Sequence, residues 1–264
     1  MYMIKVGIGG WTFEEWRGGV FYPKGLPQTR ELSHASRQVT SIEINGTYYS
    51  TQKPESFRRW AADTPDDFMF SVKASRFSTN RRVLAEAGDS IERFIGSGIG
   101  ELKQKLGPIL WQFAPTKKFD ADDFGTFLEM LPRTLDGRPL RHAVEVRHES
   151  FVVPAFVALA RQYYAAIVFA DSEKYPMIAD VTGDFVYARL QSAKEDIATG
   201  YSAPAIKKWA ERATAWAEGG DTKDLPHAAK SPPPKKKRDV FVYMINGAKV
   251  RAPAAAQALL AKLK

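Results

Sequence analysis

Charged and amide side chains recur at one kind of place in this sequence, the last residues of short apolar runs. Glu43 with Asn45, Lys73, Gln112, Glu145 with Arg147 and His148, Asp171, Arg189 and Asn246 each close or follow such a run. In Ala143-Val144-Glu145-Val146-Arg147 the alternation sends the two valines to one face of a strand and Glu145 and Arg147 to the other. A carboxylate and a guanidinium on one strand face are costly to bury unless they pair or meet a ligand. Brought together, Glu145 and Glu43 could serve as general acid and base with separated pKa values. Arg147, Arg189 and Lys73 would hold an anionic group, the arginines bidentately. Lys73 could instead be a Schiff-base nucleophile if its neighbours depress its pKa. Glu43, Glu145 and Asp171 could bind Mg²⁺ or Mn²⁺, which prefer oxygen ligands.

These residues make a catalytic set of Glu43, Glu145, Lys73 and Asp171. Around it stands a substrate-binding set of Asn45, Tyr48, Gln112, Arg147, His148, Arg189, Asn246 and Trp11. Trp11, Tyr22, Tyr48, Tyr49 and Trp111 could form an aromatic rim, with Trp111 and Tyr22 equally suited to the core. The competing reading is that the charges pair only to close the top of a fold. Clustered polar tips on nearly every strand favour a site over that reading.

Eight strands must position these tips: residues 5–10, 40–45, 68–73, 108–113, 143–149, 165–171, 185–191 and 240–246. Helices are expected over 29–38, 54–60, 83–106, 120–131, 155–164, 205–217 and 254–263, with Pro54 and Pro154 at helix starts and Asp120 as an N-cap. Glycines 96, 98 and 100 weaken the third of these. A strand followed by a helix, repeated in one chain of 264 residues, predicts a single TIM-type (β/α)8 barrel over 1–264. The link 172–184 between strands six and seven is too short and irregular for a helix. In such a barrel the C-terminal strand ends form the active site, and the turn Asn246-Gly-Ala-Lys249-Val-Arg251 after strand eight falls where barrels often bind phosphate. Gly7, Gly9 and Gly10 miss the dinucleotide fingerprint, since Thr12 occupies its third glycine position.

Hydrophobic content of 44% and charged content of 26% are those of a globular domain with a sizeable core. With no cysteine there is no thiolate zinc site, disulfide or cysteine nucleophile. Of four histidines only His148 falls near the strand tips, which disfavours a multi-zinc centre. No apolar run is long enough to span a bilayer, and Met1 leads straight into the first strand, so a cytoplasmic location is expected.

The net charge of +8 permits an anionic partner. Six Lys/Arg and three Asp between Gly219 and Asp239 place +3 of it in one Pro- and Lys-rich insertion before strand eight. That composition predicts a flexible, solvated loop, or alternatively an electrostatic tether for nucleic acid. The favoured partner is a small anionic molecule such as a phosphorylated sugar or nucleotide-like compound. A nucleic-acid enzyme or a non-catalytic ligand sensor remain the alternatives.

The chain resembles the family called domain of unknown function 72 (DUF72, YecE-like). The matching pieces are Gly7-x-Gly-Gly-Trp11, Phe21-Tyr-Pro23, Ile42-Glu-Ile-Asn45 with Tyr48-Tyr49, Arg59-Trp60 with Pro65 and Phe68, and Phe70-x-Val-Lys73. They continue with Leu106-Gly-Pro-Ile-Leu-Trp-Gln112, Val144-Glu-Val-Arg-His148, Asp171, Tyr187-x-Arg189 and Asn246, spanning nearly the whole chain in order. The resemblance implies a TIM barrel and names no reaction. Two departures stand out: Gln191-Ser192 replaces the family's histidine-glycine after strand seven, and Met244-Ile-Asn246 replaces its Phe-Asn-Asn. A mechanism that needs an imidazole on strand seven is therefore not expected here.

Overall fold

A computed structural model describes residues 2–263; Met1 and Lys264, included above in the barrel domain, lie outside them. Eight parallel strands close into a barrel: β1 Ile4–Gly9, β2 Ser41–Ile44, β3 Met69–Lys73, β4 Leu106–Gln112, β5 His142–Glu145, β6 Ala166–Asp171, β7 Phe185–Leu190 and β8 Asp239–Met244. Each strand pairs with its neighbours in sequence, and β8 returns to β1 with Ile4 opposite Val240. The expected eight-stranded TIM barrel is the observed fold.

Strand alternation divides the core in two. Ile42, Phe70, Val72, Trp111, Val144, Phe169, Ala188 and Val242 face outward and join one large apolar cluster with the surrounding helices. Leu110, Ala143, Ala166, Val168, Phe185, Tyr187, Phe241, Tyr243 and Ile245 form a second cluster that fills the lumen. The lumen also holds a hydroxyl layer, in which Ser41 Oγ lies 2.7 Å from Tyr243 Oη and Ser71 Oγ lies 2.7 Å from Tyr187 Oη. Two serines leave room for two tyrosine rings, so the layer fills by matching small residues to large ones.

Gly7 keeps β1 against β2, because a Cβ there would fall 2.2 Å from the Ser41 carbonyl oxygen. Helices Pro54–Asp63, Ala121–Glu129, Pro154–Gln162, Ala203–Ala217 and Ala252–Leu263 cover the barrel. Asp120 caps its helix as expected, accepting from Asp123 N at 2.9 Å.

Two local readings need correction, and one hairpin is new. The expected helix 83–106 is broken into a 3-10 turn at Leu84–Glu86, a helix at Gly88–Ile95 and a kinked 3-10 stretch at Ile99–Lys105. Gly98 takes φ 107, and a Cβ there would meet Pro54 at 2.8 Å, so close crossing of the helix Pro54–Asp63 decides the break. The expected helix 29–38 shrinks to Glu31–Ala35 behind a 3-10 turn. Before β5, Thr134–Leu135 and Arg138–Pro139 form a small hairpin around Asp136-Gly137, both at positive φ.

Segment 172–184 carries no helix or strand, in line with the irregular link expected there. The insertion 219–238 likewise has no regular element, yet it is tied down. Asp180 accepts from Ala228 N and Ala229 N at 2.6 and 3.1 Å, and Asp224 pairs with Arg212 at 2.7 Å. Arg238, counted above among the basic residues of a tether, is buried and donates to the Pro234 carbonyl at 2.7 Å. Among the described residues no helix is long and apolar enough to cross a membrane.

Candidate functional site

At the C-terminal mouth three strands converge on one guanidinium. Arg189 of β7 donates Nε and Nη2 to the two oxygens of Glu43 on β2, both at 3.0 Å, and Nη1 to Glu145 Oε2 on β5. Tyr187, two residues below Arg189 on the same face, donates its hydroxyl to Glu43 Oε2 at 2.7 Å. All four side chains are buried, so each charge is compensated by a partner held on a rigid strand. Burial would lower the arginine, but Glu145 and Glu43 together raise it above the ordinary range.

Glu145 Oε1 is also fully used. It accepts from Gln112 Nε2 at 3.0 Å and from Arg147 Nε at 2.8 Å. Burial alone would raise this carboxyl; the charges of Arg189 and Arg147 outweigh that and hold it down to about 2. A carboxylate this acidic, with donors on both oxygens, is suited to holding a field rather than moving a proton near neutrality.

Lys73, at the end of β3, is arranged differently. Its Nζ lies 4.3 Å from the centre of the Tyr48 ring, and no carboxylate among the described residues comes within salt-bridge distance. Desolvation, then the charge of Arg189, push it down to about 8 against the pull of Glu43 and Glu145. Lys73 therefore titrates within reach of physiological pH while the carboxylate beside it does not.

These groups open onto one cavity of about 410 Å³. Its walls carry Asn45, Lys73, Gln112, Arg147, Arg189 and Asn246 from the candidate set. Tyr49, Phe13, Trp16 and Lys249 also line it. Asn246 adopts φ 59 at the turn after β8, and Lys249 stands 3.2 Å from the centre of the Phe13 ring. Ala252, which opens the last helix, borders the same space. A helix N-terminus there favours negative charge in the cavity.

Other candidates stay outside. Asp171 is the main correction. Along β6, Ala166 and Val168 face the lumen while Ile167 and Phe169 face the helices, so Asp171 has the outward parity. Its carboxylate accepts from Tyr201 Oη at 3.3 Å, and burial raises its pKa. Glu43 and Glu145 already share Arg189 as their counter-charge. Among the described residues no group of three His, Asp or Glu side chains could hold a metal ion, so the set Glu43, Glu145 and Asp171 does not assemble.

His148 turns back on its own loop, its Nδ1 accepting from Ser150 N at 3.1 Å. Trp11 packs edge-on against Trp60, ring centres 5.2 Å apart. Tyr22 and Trp111 are core residues. His142 starts β5 at the opposite end, as the sequence implies, where burial pushes it down to about 4.

Several contributors escaped sequence reading. Tyr187 was detectable, being two residues before Arg189 and so on its face. Tyr175, whose ring lies 4.3 Å from the Arg147 guanidinium carbon, comes from the irregular segment 172–184 and leaves no periodic signal. Gln191, which the sequence already marks after strand seven, keeps a buried Nε2 with no acceptor among the described residues.

A family model described as "Protein of unknown function DUF72" matches residues 5–264. The UPF0759 protein YecE of Escherichia coli (strain K12) is 27% identical over 151 residues, 56% of this chain and 50% of that protein. The UPF0759 protein YunF of Bacillus subtilis (strain 168) is 24% identical over 159 residues, 58% of this chain and 54% of that one. The chain thus spans about half the length of the curated relatives it matches. A DUF72 family protein from Thermotoga maritima MSB8 superposes with a TM-score of 0.75 at 24% identity, covering 98% of each chain. A D-psicose 3-epimerase crystallised in the presence of D-fructose superposes with a TM-score of 0.52 at 10% identity over 97% of each chain, a likeness of fold alone. The chain belongs to the DUF72 family, whose function is unknown.

Proposed function

We propose that the mouth of the barrel is the active site of an enzyme for a small anionic substrate, with Lys73 as the group that moves a proton. The observation that carries this is the contrast between Lys73, which lines the cavity, and Glu145, which is buried and does not. Glu145 is held down to about 2 with donors on both oxygens, whereas Lys73, pushed down to about 8, has no ion-pair partner among the described residues. The proton-transfer role that the sequence suggested for Glu43 and Glu145 passes to Lys73. The carboxylates position Arg189 and Arg147 and set the field around the lysine.

An anion is the substrate class that fits the walls. Arg147, Lys249 and the start of the helix Ala252–Leu263 supply positive potential, and Asn45, Gln112 and Asn246 supply orienting amides. Tyr49, 65% exposed at the rim, offers a ring for a sugar or base. A nucleic-acid role through the basic insertion draws less support. Lys236 borders a cleft with Arg141, His142, Asp184 and Phe185, at the N-terminal ends of the strands and away from the mouth.

The test is the thermal midpoint of the protein with inorganic phosphate, phosphorylated sugars and 2-oxo acids added singly. A ligand of the folded state present at 100 times its Kd adds about 2.7 kcal/mol of stability. At least one anion should raise the midpoint, and Arg147→Met should abolish the rise. No rise with any anion, or a rise indifferent to Arg147, would overturn the reading. Turnover of the bound compound then separates an enzyme from a ligand sensor.

A further inference from the structure

Among the described residues the barrel buries three lysines, and two of them are held by backbone carbonyls. Lys105 Nζ donates to the carbonyls of Ala61 and Thr64 at 2.6 and 2.7 Å. Lys5 Nζ donates to the Asp67 carbonyl at 2.6 Å. Lys73 is 7% exposed, and among the described residues its Nζ has neither a carbonyl nor a carboxylate acceptor. Each carboxylate oxygen that could have held it is engaged by Arg189, Arg147, Gln112 or Tyr187.

We propose that Lys73 is a covalent nucleophile that condenses with the aldehyde or keto group of a small anionic carbonyl compound seated in the mouth. This rests on the reading of the mouth as an anion site, gives Lys73 covalent attack in place of proton transfer, and adds the substrate's reactive group. The neutral amine attacks the carbonyl carbon, forming the C–N bond as the C=O π pair moves to oxygen. A proton passes from nitrogen to that oxygen to give a carbinolamine. Departure of hydroxide, which takes one further proton from solvent to leave as water, yields the iminium on Nζ. One amine, one carbonyl and one proton thus become one iminium and one water, with no oxidant or reductant.

The surroundings suit each stage. Burial, then the charges of Arg189 and Arg147, disfavour the ammonium form, so Lys73 reaches its neutral state more readily than an exposed lysine. The Glu43 and Glu145 carboxylates favour positive charge at Nζ and so stabilise the iminium once it forms. Arg147 and Lys249 remain for the substrate's anionic group.

The experiment is reductive trapping. The full chain is incubated with pyruvate, dihydroxyacetone phosphate or acetone, reduced with sodium borohydride, and mapped by peptide mass spectrometry. The proposal expects the reduced adduct on Lys73 to exceed that on any other lysine by at least about tenfold. It also expects preference for the anionic carbonyls over acetone and faster labelling as pH rises through neutrality. In Lys73→Arg the adduct should vanish while the anion-induced thermal rise survives. Adduct spread over exposed lysines, or unchanged labelling in Lys73→Arg, overturns it. An anion-induced rise without Lys73 labelling sinks the covalent step and leaves the anion site standing; loss of both sinks both.

Discussion

Arg189 meets Glu43 through two parallel hydrogen bonds, Nε to Oε2 and Nη2 to Oε1, each 3.0 Å, across the barrel lumen between residues 146 positions apart. The same guanidinium reaches Glu145 with Nη1, so β2, β5 and β7 are fastened by one side chain. Arg189→Met should leave the Glu43 carboxylate buried without a counter-charge and Glu145 with Arg147 alone. Breaking a buried pair from one side costs about 3 to 5 kcal/mol. Urea unfolding monitored by tryptophan fluorescence should show a loss of that size, and near-native stability would remove Arg189 from its central place.

The acid limb of stability should report Glu145. Its pKa is depressed from 4.5 to about 2 in the folded state, so its contribution is fully present above 4.5 and is lost as pH falls toward 2. The expected size is on the order of 3 kcal/mol. Urea midpoints measured through that window should fall in the native protein and change less in Glu145→Gln. Parallel curves would mean that Glu145 is not held down.

Lys73 costs stability at neutrality where Glu145 adds it, although both pKa values are lowered. A lysine lowered from 10.5 to about 8 binds its proton more weakly when folded, so the unfolded chain holds more protons between those values and stability gained from deprotonation grows with pH there. Below that range the buried ammonium costs stability. Lys73→Met should therefore be more stable than the native chain near neutrality, by about 1 to 3 kcal/mol, with the advantage shrinking above pH 10. A Lys73→Met protein less stable at every pH would show that the ammonium is favourably paired.

Asp171→Asn tests the outward parity of β6. It should leave the anion-induced rise in thermal midpoint unchanged, because Asp171 bonds Tyr201 rather than the mouth. Mg²⁺ or Mn²⁺ added to chelator-treated protein should likewise produce no shift that depends on Asp171. Loss of either response in Asp171→Asn would bring this carboxylate back into the site.

The insertion divides into two kinds of basic residue. Reversing Lys235, Lys236 and Lys237 to glutamate should leave the anion response at the mouth intact, since Lys236 borders the opposite face. Arg238→Ala should instead lower stability by about 1 to 3 kcal/mol, because it leaves buried carbonyl oxygens without their donor. Differential scanning calorimetry on the two variants separates these effects; a stable Arg238→Ala would mean that water replaces the guanidinium.

The strands were legible because their apolar runs are punctuated by proline, glycine and charged tips, and eight such runs with intervening helices close only one familiar way. Strand faces were legible where polar and apolar residues alternate, as at Val144-Glu145-Val146 and Tyr187-Ala188-Arg189. In β6 the run Ala166-Ile-Val-Phe-Ala170 is apolar on both faces, so nothing local said which way Asp171 points. The break at Gly98 was equally hidden, since it depends on Pro54 passing within van der Waals contact from another helix.

By itself, then, the chain determined the barrel, its family and the neighbourhood of Glu43, Lys73, Gln112, Glu145, Arg147, Arg189 and Asn246, since residue type and period two are local properties. Tertiary structure alone decided who pairs with whom. Hydrogen-bond partners in the mouth come from strands dozens of residues apart, and a guanidinium has only so many donors. Once Arg189, Arg147, Gln112 and Tyr187 have taken the oxygens of Glu43 and Glu145, Lys73 has no ion-pair partner among the described residues and only the Tyr48 ring beside it. That leftover amine, which no sequence period encodes, is where the chemistry is proposed to occur.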